Sequence, residues 1–278
     1  MRLPETSNHY KGTIVTIYFL GAGNMASAII AGMSRAGGFD ICAIDYSTDK
    51  LAALAQQYGI ATATELPLLN EGDVLVLAVK PQDMQAALQN VQTGGALVLS
   101  IAAGLPCAAL SRWLGGTRRI VRIMPNTLAQ VGQGVAGLFA DSGTSAADRE
   151  LPDRIMRASG QILWLDSEDG LHRITGISGS GPAYVFYLLE ALQNAARQQG
   201  FNVEEARQLS LATFQGTVRL AEQSGEEFSD LRQKVTSQGG TTYAALQSFE
   251  AHGVAEAIGA GVAACVARSQ ELAEQLAE

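Results

Sequence analysis

Short apolar runs alternate with amphipathic stretches over the first 165 residues, and this alternation constrains the fold more than any other feature. The runs Ile14–Leu20, Ile41–Asp45, Val74–Val79, Ala96–Ile101 and Arg119–Ile123 are rich in Val, Ile and Leu. Strands buried on both faces have that composition. Gly134–Ala140 and Gln161–Asp166 read as further strands. Amphipathic segments such as Asp49–Tyr58 and Gln82–Val91 lie between them, and a helix is expected near Ser145–Ser159. A parallel strand pair needs a crossover, usually helical, so this order predicts a doubly wound parallel sheet.

After about Asp166 the strand runs stop and long helices follow. Pro182–Gln199 carries Val185, Leu188, Leu189, Leu192, Ala195 and Ala196 at helical spacing, with Gly200 as its stop. Asn202 with Glu205 resembles a capping box opening a helix to about Gln223. Thr241–His252 and Val254–Ala277 complete the chain. The expected division is an α/β domain at 1–166 and an all-α domain at 167–278. Tyr184–Leu189 has no polar face for nearly two turns. Gly259, Ala260, Gly261, Ala263, Ala264 and Ala267 form a small-residue surface. A helix apolar all round must be buried, and in so short a domain a second copy of the chain is the expected partner. A compact monomeric bundle is the competing reading.

A net charge of −8 argues against nucleic acid or an anionic membrane as a general partner. Cys42, Cys107 and Cys265 have no paired spacing, so neither a disulfide framework nor a metal site is expected, which fits a reducing cytoplasm. No apolar run approaches a bilayer's thickness. The leader 1–13 is polar and lacks the apolar stretch of a signal peptide; a flexible arm and a start-site extension both fit it.

The first strand ends in Gly21-Ala22-Gly23-Asn24-Met25-Ala26, and a helix-like stretch follows. Strand, glycine turn and helix together place an anion-binding helix N-terminus at Gly21, Gly23, Asn24, Met25 and Ala26, and suggest a dinucleotide. Asp45, 24 residues beyond Gly21, ends the next strand. A carboxylate there accepts from ribose hydroxyls and repels a 2′-phosphate. Tyr46, Ser47 and Thr48 bring no arginine, so local physics favours NADH over NADPH. Later strand ends should line the same crevice. They offer Ala78, Val79 and Lys80, the last being one of four lysines, and the small residues Ala102 and Ala103.

Five motifs occur in order: Gly21–Ala26, Leu77–Gln82, Arg122-Ile123-Met124-Pro125-Asn126-Thr127, Ile177–Tyr184 and Val235–Thr242. With them, from about Ile14 to the end, the chain resembles the Δ1-pyrroline-5-carboxylate reductases. The resemblance implies a Rossmann domain followed by a helical dimerisation domain, with dimers often assembled into larger rings. It implies hydride transfer from NAD(P)H to the C=N carbon of a cyclic imino acid, giving L-proline. It further implies that the substrate carboxylate sits in the Ser237–Thr242 loop, on backbone N–H groups of Gly239, Gly240 and Thr241. By the same resemblance Thr242 offers its hydroxyl to the ring nitrogen, Glu222 lies near, and the loop comes from the partner subunit. Three positions depart from the family's pattern. Gln238 and Leu128 stand where prolines are usual. Asp45-Tyr46 stands where Asn-Arg is common, against the family's usual NADPH preference.

A protonated iminium accepts hydride readily, so such a reaction needs positioning more than a strong general acid. The sequence agrees: His9, His172 and His252 fall in no motif. The competing functions are a β-hydroxyacid dehydrogenase, a reductase of another cyclic imine, and a dinucleotide-binding regulator without catalysis. The first expects a lysine soon after Gly179–Pro182, and none occurs before Lys234. A regulator would have no use for the carboxylate nest.

Overall fold

The computed structural model describes residues 9–10 and 13–277. The expectation for the leader falls mostly outside them. Within it only β1 (His9–Tyr10) and β2 (Thr13–Ile14) are described, paired antiparallel. The chain continues through β3 (Thr16–Leu20), α1 (Asn24–Ala36), β4 (Asp40–Ile44), α2 (Thr48–Tyr58), β5 (Ala61–Ala63) and β6 (Val74–Leu77). Then come α3 (Met84–Leu88), β7 (Leu97–Ser100), α4 (Cys107–Trp113), β8 (Ile120–Met124), β9 (Gly134–Ala140), α5 (Glu150–Arg157), β10 (Gly160–Trp164) and α6 (Gly170–Ile174).

Eight strands form one sheet in the order β10-β9-β8-β7-β6-β3-β4-β5. Every neighbouring pair is parallel except β8 with β9. The parallel sheet expected from the sequence therefore holds from β5 to β8, while β9 and β10 run the other way. The cause is local. Only residues 125–133, with a single 3₁₀ turn at Thr127–Val131, join β8 to β9, and so short a link suits an antiparallel pair. The chain enters at β3, steps outward to β4 and β5, and returns to β6 on the opposite side of β3. That reversal opens a crevice at the carboxyl ends of β3 and β6.

Side-chain alternation sorts the sheet's two faces. Ile17, Phe19, Val74, Val76, Leu97 and Leu99 join Ile29, Ile30, Met33, Leu51, Leu54 and Ile155 in one core. Leu75, Leu77 and Val98 join Met84, Leu88, Leu105 and Leu110 in the other. Both faces are covered, which explains why the strands read as unbroken apolar runs rather than alternating ones.

The helical remainder is α7 (Gly181–Gln198), α8 (Val203–Ser224), α9 (Phe228–Lys234), α10 (Thr241–Ala251) and α11 (Val254–Ala277). The chain divides into two compact units. One runs to Ser180 and resumes at Cys265; the other is Gly181–Ala264. The capping box forms as the sequence indicates: Asn202 Oδ1 accepts from Glu205 N–H at 2.9 Å, and a Glu205 carboxylate oxygen accepts from Asn202 N–H at 2.9 Å. Within the second unit only Ala206 and Ser210 are fully buried. Val185, Phe186, Tyr187, Val218, Leu220 and Phe249 are exposed. Among the described residues no single helix is long and apolar enough to cross a membrane. The bent pair formed by α10 and α11 reaches that length and composition together.

Candidate active site

The glycine turn is held by backbone on both sides. Gly21 N–H donates to Ile44 O at 2.8 Å, and Ala78 N–H donates to Leu20 O at 2.9 Å. Gly21 has φ +105°, and a Cβ on it would lie 2.8 Å from the Ala78 carbonyl carbon and oxygen. Only glycine fits. Gly23 is different: it is the N-cap of α1, its backbone is ordinary, and nothing lies within 4 Å of a built Cβ. No side chain caps α1. The first N–H groups of a 13-residue helix therefore meet open space, and the helix end carries partial positive charge. This uncapped turn opens on a cleft of about 590 Å³, a size usual for small-molecule sites. A pyrophosphate fits the arrangement: the turn supplies unsatisfied donors, and Gly23 leaves the space.

Asp45 forms another wall of the cleft. Its side chain is 7% exposed. Oδ2 accepts from Ala22 N–H at 2.8 Å, and Oδ1 accepts from Ser47 N–H at 2.9 Å. The carboxylate thus ties the glycine turn to the start of α2, a bracing role that the sequence did not reveal. Each oxygen keeps a second lone pair for a further donor. Lys50 Nζ lies 3.9 Å from Oδ2 and 5.8 Å from the centroid of the Tyr46 ring, which is itself almost fully exposed.

Gly21, Gly23, Asp45, Ala78, Val79 and Lys80 all line this one cleft. The other sequence candidates fall elsewhere. Asn24 lines a separate hollow of about 230 Å³ with Tyr58 and Gln130. Met25 is half-buried, and Ala26 is packed in the core at 1% exposure. What these residues offer an anion is backbone. Ala102 is buried and Ala103 exposed on the loop between β7 and α4, and neither is a wall of the cleft. Lys50, Thr64 and Asp83 line it without having been anticipated. Thr64 follows β5, which has no apolar run to announce it. Lys50 had a signal: a lysine in the first turn of the helix that follows Asp45.

Two further motif residues hold the first unit together. Asn126, 3% exposed, donates to Ser178 O at 3.0 Å and accepts from Val135 N–H at 3.1 Å. Arg122 is buried on β8 and donates to Glu168 Oε1 at 2.7 Å; the same oxygen accepts from Cys107 N–H at 2.7 Å. His172 Nδ1 lies 2.8 Å from Ser269 Oγ. Burial and then the Arg122 charge push its pKa down, so it packs as a neutral ring at physiological pH.

The Ser237–Thr242 loop belongs to the second unit. Gly239 has φ +73°, and Gly240 is the uncapped N-cap of α10. A Cβ on Gly240 would lie 2.5 Å from Ser237 Oγ and 3.1 Å from Ser237 O, so a larger residue there would make the serine side chain turn away. Gly240 N–H already donates to Ser237 O at 3.0 Å. Of the nest expected on Gly239, Gly240 and Thr241, the Gly240 donor closes the turn. The donors without an intrahelical acceptor are those of the first turn of α10, beginning at Thr241. Thr242 is exposed on that turn, as is Glu222 near the end of α8. Among the described residues no hydrogen bond or ion pair joins Glu222 to the loop.

Residues 168–272 match the family model for pyrroline-5-carboxylate reductase dimerisation. Residues 16–104 match one described as NADP oxidoreductase, coenzyme F420-dependent. The pyrroline-5-carboxylate reductase of Pseudomonas aeruginosa is 41% identical over 268 residues, covering 94% of this chain and 98% of that one. The chain belongs to the pyrroline-5-carboxylate reductase family. Its relative from Vibrio alginolyticus is 38% identical, with 92% and 97% covered. The solved reductase of Coxiella burnetii superposes with a TM-score of 0.84 at 37% identity, covering 96% of this chain and 99% of that chain. The Plasmodium falciparum enzyme, solved with NADP bound, gives 0.81 at 26% identity, with 93% and 98% covered. As a family member the chain is an NAD(P)-dependent oxidoreductase, and its dimerisation segment makes it a homo-oligomer.

Proposed function

We propose that this chain reduces the C=N bond of 1-pyrroline-5-carboxylate to give L-proline, the last step of proline biosynthesis. The observation that carries the reading is 41% identity to a pyrroline-5-carboxylate reductase across 94% of the chain. NAD(P)H supplies the hydride when bound, and the protonated imine brings its own proton. The chain's task is then to hold two ligands in register and keep the iminium charged.

In this proposal the cleft at Gly21, Gly23, Asp45, Ala78, Val79 and Lys80 takes the dinucleotide, with backbone from Asn24, Met25 and Ala26 at the pyrophosphate. The Ala102–Ala103 loop serves the nicotinamide half. The buried Asp45 carboxylate lines the ribose end and favours NADH, because its charge repels a 2′-phosphate. The substrate carboxylate lies against Ser237, Gly239, Gly240 and Thr241, on the free donors of α10's first turn. Thr242 is the catalytic residue, its hydroxyl meeting the ring nitrogen, with Glu222 beside it. The functional division is 1–166 for the dinucleotide and 167–278 for substrate and assembly. The substrate loop is contributed by the partner subunit of a dimer, and dimers join into a ring. Three free cysteines support a cytoplasmic setting.

A steady-state assay on pyrroline-5-carboxylate, run with NADH and NADPH side by side, tests reaction, substrate and cofactor together. Turnover with NADH giving the higher kcat/KM is expected. Nucleotide binding without turnover would make the chain a regulator. Turnover only with other cyclic imines would reassign the substrate.

A further inference from the structure

The chain carries a net charge of −8 and has four lysines, yet two of the four, Lys50 and Lys80, line the cleft. Lys80 stands at the β6 side. Lys50 stands at the ribose side, three residues into α2, with its side chain half-exposed. Its ammonium is 3.9 Å from Asp45 Oδ2. That is too long for a hydrogen bond and close enough for a partial, solvent-screened charge compensation. Asp45 cannot move to make a closer pair, because both its oxygens are already fixed by backbone N–H groups of Ala22 and Ser47. The ammonium therefore keeps its donors free. The exposed Tyr46 ring lies 5.8 Å from Nζ, within cation–π range. No side chain caps α2 either, and Asp49 shares its first turn with Lys50.

Resting on the reading of this cleft as the dinucleotide site, we propose that Lys50 is the specificity-determining residue that admits a 2′-phosphate beside Asp45. Asp45 alone makes the ribose end hostile to a phosphate dianion. Lys50 offsets that carboxylate and offers its own donors, so one cleft accepts both NADH and NADPH. The ratio between them is set by the opposition of the two side chains.

The test is equilibrium binding of NADP⁺ and NAD⁺ to the full-length protein by titration calorimetry, without turnover. Free 2′,5′-ADP and AMP serve as fragment probes. Lys50→Met should weaken NADP⁺ and 2′,5′-ADP about tenfold, the loss of one charge-assisted contact to phosphate. NAD⁺ and AMP should change by less than about twofold, since neither carries the 2′-phosphate that the lost contact served. Lys50→Arg should keep NADP⁺ binding, because a guanidinium also grips phosphate. Equal losses for both dinucleotides, no loss for either, or a wild-type protein that binds NAD⁺ alone would each overturn the role of Lys50. A wild-type protein that binds neither would overturn the dinucleotide reading itself.

Discussion

Two glycines two residues apart, Gly21 and Gly23, have opposite consequences. Gly21→Ala places a Cβ 2.8 Å from the Ala78 backbone at φ +105°. It should cost about 2–4 kcal/mol of stability and disturb the β3–β6 junction. Gly23→Ala meets nothing within 4 Å and has ordinary dihedrals. Its cost should be below about 1 kcal/mol, while the methyl enters the space over α1 and weakens dinucleotide binding. Thermal unfolding together with dinucleotide titration separates the two. A Gly23→Ala protein with unaltered affinity would remove the pyrophosphate from this turn. At the substrate end, Thr242→Ala should lower kcat by roughly 10- to 100-fold, the range of a lost positioning contact. Dinucleotide affinity should stay intact; parallel loss of both would withdraw Thr242 from the chemistry.

At the scale of elements, one arginine fastens three loops. Arg119 donates to Asp148 Oδ1 through Nε at 3.1 Å and Nη2 at 2.6 Å, and through Nη1 to Glu71 O and Gly95 O. Asp148 also accepts from Ser145 N–H at 3.0 Å and Ser145 Oγ–H at 2.8 Å. Burial alone would raise the Asp148 pKa, but the Arg119 and Ser145 donors outweigh it and hold the carboxyl below its usual range. A depressed folded-state pKa gives stability that is complete above the unfolded value, near about 4, and is lost as pH falls through the folded value. Arg119→Met should therefore destabilise by about 2–3 kcal/mol at pH 7. It should also flatten the fall in Tm between about pH 4 and pH 2, the span below the usual carboxylate value. A wild-type-like acid slope in the variant would place the sensitivity in other carboxylates. This clamp is invisible in the sequence, because the partners of Arg119 come from three separate segments. What was legible were elements with one-dimensional signatures: buried strands as apolar runs, α8 through its capping box, α1 through its glycine turn. β5 was missed for want of an apolar run. The reversal at β9 was missed because strand direction leaves no mark on composition. The bracing role of Asp45 was missed because a carboxylate ending a strand reads the same whether it meets a ribose or a neighbouring N–H.

For the whole molecule, the second unit sets the terms. Its helices leave Phe186 at 65% and Tyr187 at 72% exposure, with Val218, Leu220 and Phe249 also in solvent. Large apolar side chains left exposed in this number on an isolated chain point to an interface, and residues 168–272 match a dimerisation family. Burying four or five such side chains is worth about 1.5–3 kcal/mol each before the entropy of association. That is enough to leave little monomer at micromolar concentration. Sedimentation should accordingly show a dimer or a larger closed assembly, with no stable monomer at about 1 μM. Phe186→Glu places a charge on that surface and should shift the distribution toward monomer. If the substrate loop comes from the partner, activity should fall with the dimer population and recover as protein concentration rises. Dinucleotide binding should persist in the monomer, because every wall of that cleft lies in the first unit. A Phe186→Glu monomer with full activity would remove the shared site while leaving the cleft and its cofactor untouched.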